Sequence, residues 1–149
     1  MNRRQKLVLR DFVIVIVITA IAVVAMLNFK DLVNRSEARR AMEQLGREVV
    51  EYRKTRGSVP RESYIDSIKE DLEGHLRLGK LQYRGRWIDF ESPPETILAY
   101  TKGNYRSFLL GKGYIVLRLN GEVQWMGRQE FESLLAQQQS PTEIEMQHD

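Results

Sequence analysis

Residues 12–27 read FVIVIVITAIAVVAML, about sixteen positions without a charge, directly behind the basic start MNRRQKLVLRD of residues 1–11. Counted out to Leu7 and Phe29 the apolar stretch is about 23 residues, and a helix of that length covers roughly 30 Å of hydrocarbon. A single transmembrane helix over 7–29 is therefore expected. Four cations precede the run, Arg3, Arg4, Lys6 and Arg10, and a mixed sequence follows it, with Lys30, Asp31, Arg35 and Glu37. Basic flanks stay on the cytoplasmic side, so the N-terminus is expected inside and the C-terminal part outside. The competing reading is a cleaved secretory signal, since Ala20-Ile21-Ala22 has the small-x-small pattern of a cleavage site. Against it, the run passes without Pro or Gly into a helical pattern.

Beyond Phe29 the stripe continues as Leu32, Val33, Ser36, Met42, Leu45, Val49 and Tyr52, at spacings of three and four. The opposite face is charged, with Glu43 and Arg47 and also Glu37 and Arg40 at helical spacing, which reads as a solvated face. Gly57 and Pro60 stop this helix, so residues 30–56 extend the membrane segment into one unbroken stalk with Gly46 as its internal weak point. Residues 61–80 read as a brief helix or turn around Tyr64, Ile65, Ile68 and Leu72, ended by Gly74. From Leu81 the period changes to two. LQY, RWIDF, TILAY, RSFLL, YIVLRL and EVQWM are read as an antiparallel meander punctuated by Gly and Pro. Asn120-Gly121 is the pair most favoured in a two-residue type I′ hairpin. The sheet is expected to be apolar on both faces, Tyr114, Val116 and Trp125 against Ile115, Leu117 and Leu119, with one face on the stalk. RQEFESLLAQQ returns to helix, and residues 139–149 read as a polar, acidic, disordered tail. The fold class is α+β: a long N-terminal helix whose second half packs on a small antiparallel sheet, a head over 57–138 and a short C-terminal helix.

Composition narrows the function. The net charge of +3 is carried by the four N-terminal cations, so the remainder is slightly acidic and does not present a nucleic-acid surface. Arg84, Arg86 and Arg106 lie near strand aromatics, but cross-strand packing accounts for those rings more simply than a single-strand platform. With no cysteine there is no disulfide framework, thiol nucleophile or thiolate metal site. His75 and His148 are far apart and do not make a zinc pair. Gly111-Lys112-Gly113 precedes a strand and is a turn, not a phosphate loop. No carboxylate pair or serine has the setting of catalysis, and no enzyme activity or cofactor is expected.

The order of basic leader, acidic position, apolar run, amphipathic helix and small sheet resembles the type IV pilin family, including the pseudopilins of type II secretion. MNRRQK matches the leader, LVLRD stands where Phe-Thr-Leu-Ile-Glu would be, EYRKTRGSVP is similar to the passage ending the family's helix, and YIVLRLNGEVQWMGRQEFESLLA resembles its closing hairpin and segment. The resemblance implies a structural subunit in the inner membrane with its head exported. Its implied partners are the membrane, other pilin-like subunits or secretion-assembly proteins, and the prepilin peptidase. It places the processing site between Lys6 and Leu7 and makes Asp11 the acid of subunit assembly. Lys6 departs from the family's Gly, which reads the run as a permanent anchor or an unusual substrate. Arg10 stands beside Asp11 where the family is apolar, and Asn28 stands where a kinking Pro often sits. Some pseudopilins bind calcium in sheet-side loops, but Asp89, Glu91 and Glu95 around Pro93-Pro94 read as a solvated loop. The alternative is a membrane-anchored or secreted binding module that does not polymerise.

Overall fold

One helix, α1, runs without a break from Arg3 to Arg56, and its 54 residues make a rod about 80 Å long. The computed structural model describes residues 3–73, 75–103 and 111–147. After α1 come α2 (Glu62–Lys69), α3 (His75–Leu78), β1 (Leu81–Tyr83), a 3₁₀ turn (Gly85–Trp87), β2 (Ile97–Gly103), β3 (Gly113–Arg118), β4 (Val123–Gly127), α4 (Arg128–Gln138) and α5 (Pro141–Gln147). The four strands form an antiparallel sheet in the order β1-β2-β3-β4. The α+β architecture read from the sequence is therefore present. The helix stops where Gly57, at φ 65°, takes the left-handed turn that side chains resist.

The upper half of α1 packs on one face of the sheet. Ala38, Ala41, Met42, Leu45 and Val49 are buried against Ile115, Leu117, Leu119 and Val123, with Ile65, Leu72 and Leu78 closing the side. The buried stripe starts at Ala38, later than the sequence implied, and Leu32 and Val33 remain exposed. The second face holds Ile97, Tyr100, Val116 and Met126 under Phe131 of α4, whose ring stacks on Tyr114 at 3.9 Å. Trp125 belongs to the α1 face, opposite Ile115 in the β3–β4 register, and Met126 takes the place by Val116 that the sequence reading assigned to Trp125. A bulge at Leu98 lets two successive residues, Leu98 and Ala99, serve the α1 face while Ile97 and Tyr100 serve the other.

Other expectations need correction. RWIDF is not a strand: the chain folds into the 3₁₀ turn after Arg84, and Gly85 lies so close to the Tyr83 ring that a Cβ there would overlap it. The Asn120-Gly121 turn is not type I′, which needs positive φ at both residues; only Gly121 has it, at 89°. Gly121 N–H donates to the Arg118 carbonyl and Arg118 N–H to the Glu122 carbonyl, giving a three-residue loop that keeps Leu119 in the core. Gly46 is a contact point, not a weak point, because a Cβ there would sit 2.9 Å from Leu117 Cδ1 and 3.0 Å from the Gly121 carbonyl oxygen. Glu43 pairs with Arg39, and Glu37 reaches Arg77 of α3 instead of its own helix. The stretch read as a disordered tail holds a helix over 141–147, and its Glu143 is buried; 148–149 lie outside the described residues. RSFLL lies outside the described residues.

Candidate functional site

The lower half of α1 carries the processing and assembly candidates Lys6, Leu7 and Asp11. Leu7 to Leu27 expose apolar side chains on all sides, and no described residue of the head covers them. A helix that is apolar all round requires hydrocarbon or other helices around it. By length and composition it can cross a membrane. Its polar side chains turn onto the helix itself: Thr19 Oγ1 donates to the Val15 carbonyl at 2.8 Å, and Asn28 Nδ2 to the Val24 carbonyl at 2.8 Å. Those bonds leave fewer unmet polar groups in an apolar solvent. The helix continues without a break through Asn28.

At the lower end Arg10 Nε and Nη2 both lie 3.1 Å from Asp11 Oδ1. Both side chains are 64% exposed, so the pair is a weak surface contact open to exchange. Leu7 and Asp11, one turn apart, share a helix face, and Lys6 precedes them in the same helix. Lys6-Leu7 is therefore helical backbone. Ala20, Ala22 and Ala25 are exposed and offer little bulk against a neighbouring helix.

A second constellation was not read from the sequence. Arg84 turns inward from the end of β1, and its Nε and Nη2 bind the two Glu143 carboxylate oxygens at 2.6 and 2.9 Å. Its Nη1 donates to the Ile97 carbonyl at 2.8 Å and Nη2 to that of Gln138 at 3.1 Å, while Gln138 Oε1 accepts from Ile97 N–H. The ion pair is thus bidentate and buried, and it clasps α5 to the sheet. One local signal was available. Ser140-Pro141-Thr142-Glu143 has the Ser-x-x-Glu form of a helix start with Pro at the first position, and Glu143 N–H indeed donates to Ser140 Oγ at 3.2 Å. Near the top of α1, Arg53 donates to the carbonyls of Leu119 and Phe90 and lies over the Phe90 ring. Burial, helped by Tyr52 and Glu62, pushes the Tyr83 phenol above its ordinary value, and its hydroxyl donates to the Pro60 carbonyl at 2.7 Å.

At the opposite end of the head, a groove of about 790 Å³ opens between α3 and the β1–β2 edge, with Arg77, Lys80 and Lys102 in its wall. Asp89, Glu91 and Glu95 are exposed in the loop before β2. Among the described residues no three His, Asp or Glu side chains gather as a metal site, and His148 lies outside those residues. Comparison with family models, curated proteins and solved structures returns no match.

Proposed function

We propose that this chain is a non-enzymatic, pilin-like or pseudopilin-like structural subunit, anchored in the inner membrane by residues 7–29 with its N-terminus cytoplasmic and its head outside. In this reading it assembles through the lower half of α1, with Asp11 at the subunit contact, in a type II secretion or type IV pilus-like system. The observation that carries it is the division of one continuous helix into a half packed on a head along one stripe and a half whose apolar residues are bare on every side. Bare apolar surface of that extent marks a membrane or helix-bundle contact. Lys6 supports the second reading, an anchored binding module that does not polymerise, because a long cation replaces the Gly that lets backbone approach closely.

Mass measurement of the mature N-terminus separates these readings, with intact Met1, a start at Leu7 and a start after Ala22 or Ala25 corresponding to anchor, processed subunit and secreted module. The chain has no cysteine of its own. Ala22→Cys can therefore be crosslinked in native membranes, and disulfide-linked dimers at native expression support assembly, whereas monomers throughout with intact Met1 remove it. Lys54→Cys, near the top of α1, should react with a membrane-impermeant maleimide in intact cells if the head is outside.

A further inference from the structure

The groove at the lower end of the head sits close to where the apolar half of α1 ends. Asn34 lines it, and Asn34 lies five residues past Phe29, a rise of about 7.5 Å. The polar headgroup layer of a bilayer is itself roughly 5–8 Å deep on each side, so for a chain anchored through 7–29 the groove opens at headgroup depth. The strand register agrees with this placement. Gly103, Gly113 and Gly127 align at one end of the sheet, and the Gly121 turn beside Gly46 marks the other, farther up α1.

The wall of the groove has the chemistry of an anion site. Lys80 precedes Leu81, the partner of Thr101, and Lys102 follows Thr101, so both lysines come from the same end of the β1–β2 ladder; both line the groove and are exposed. Two cations lining one groove raise its positive potential. Neither lysine has an ion-pair partner among the described residues, while the third cation, Arg77, is steadied by Glu37 at 3.2 Å. Tyr100 and Tyr114 also line it. Two apolar side chains stand at the rim with no core to enter, Leu76 at 82% exposure and Met146 at 52%. Cations within and exposed apolar residues at the rim match a phosphate joined to acyl chains better than they match a small free anion.

We propose that this groove binds the phosphate of an anionic phospholipid from the membrane that carries the helix, with Lys80 and Lys102 as its charge contacts and Leu76 and Met146 against the glycerol and upper acyl region. This rests on the anchored reading above, and the experiment separates the two. The full chain is reconstituted in vesicles of phosphatidylcholine alone or mixed with phosphatidylglycerol, flotation reports insertion, and native mass spectrometry of the released protein counts each retained lipid. Wild type should float with both compositions and retain phosphatidylglycerol above its bulk share. K80Q/K102Q should float equally well but lose that preference by roughly fivefold per lysine at low salt. K54Q/R56Q, which removes two exposed cations from the far end of α1, should leave it unchanged. Equal preference in all three proteins, or equal loss in both variants, overturns the lipid site while the anchor stands. Displacement of the retained lipid by glycerol phosphate in the buffer overturns the lipid in favour of a free anion. Failure to float with either composition overturns the anchor and the lipid site together.

Discussion

Removing the Glu143 carboxylate should free α5 without unfolding the head. Arg84 and Glu143 are 2% and 1% exposed, so Glu143→Ala strands a guanidinium in the interior with only the Ile97 and Gln138 carbonyls for company. Breaking one side of a buried pair ordinarily costs about 3–5 kcal/mol. Here the loss has a lower ceiling, because Glu143 is the buried anchor of α5 while Ile144 and Met146 are exposed. Once detaching α5 costs less than holding a dry, unpaired cation, the helix leaves and water reaches Arg84. The expected loss is thus about 1–3 kcal/mol, or roughly 5–20 °C in Tm for a domain of this size. Thermal unfolding of the full chain in detergent, followed by Trp87 and Trp125 fluorescence, measures it, and limited proteolysis should show new cleavage confined to residues 139–147. The R84M/E143L double variant supplies the counter-test, since an apolar pair of similar bulk should recover stability to within about 1 kcal/mol of wild type. An unchanged Tm and cleavage pattern in Glu143→Ala would refute the clasp. A double variant as unstable as the two single losses summed would show that packing, not charge, holds α5.

Tyr83 should make the head sensitive to alkali. Its raised phenol is favoured neutral in the fold, so its contribution is complete below the unfolded value of about 10 and is lost as pH climbs from there toward the folded value. Tyr83→Phe should cost about 1 kcal/mol at neutral pH through the lost bond to Pro60 and should flatten the decline in denaturation midpoint above pH 10; a parallel decline would contradict this. Gly46→Leu should destabilise the head by more than about 2 kcal/mol in urea unfolding, because the side chain meets the Gly121 backbone. Gly46→Ala should lose less, since improved helix propensity of about 1 kcal/mol offsets part of the overlap, and equal stability of the two variants would remove the close contact. If the prepilin peptidase reads this chain, Lys6→Gly should increase the fraction starting at Leu7 in N-terminal mass measurement, and unchanged intact Met1 would count against that reading.

The parts legible in the sequence are those fixed by local period. Apolar spacing of three and four gave α1 and its end at Gly57, and alternation gave β1 to β4, since each pattern serves one element's exposed and buried sides. What escaped was set by distant partners. Trp125 and Met126 both look able to face the core, and only pairing with Ile115 and Tyr114 decides between them. Arg84 and Glu143 are 59 positions apart, so an acidic tail hid a buried anion. The Ser-x-x-Glu start at Ser140 was visible, but the polar composition around it outweighed it. Lys6, Leu7 and Asp11 lie on the one helix that the unbroken apolar and amphipathic pattern implied, and Arg10 meets Asp11 directly.

The unbroken passage of α1 from its bare half into the head also makes it a crankshaft. With no linker between Phe29 and Ala38, a tilt or rotation imposed on the lower half is passed on to the sheet through continuous helix. One alanine inserted after Phe29 would swing the head about 100° around the axis and raise it about 1.5 Å. A partner or bilayer that held the residues around Val15, some 20 residues below the core contact at Ala38, would therefore set the bearing of the Lys80–Lys102 side.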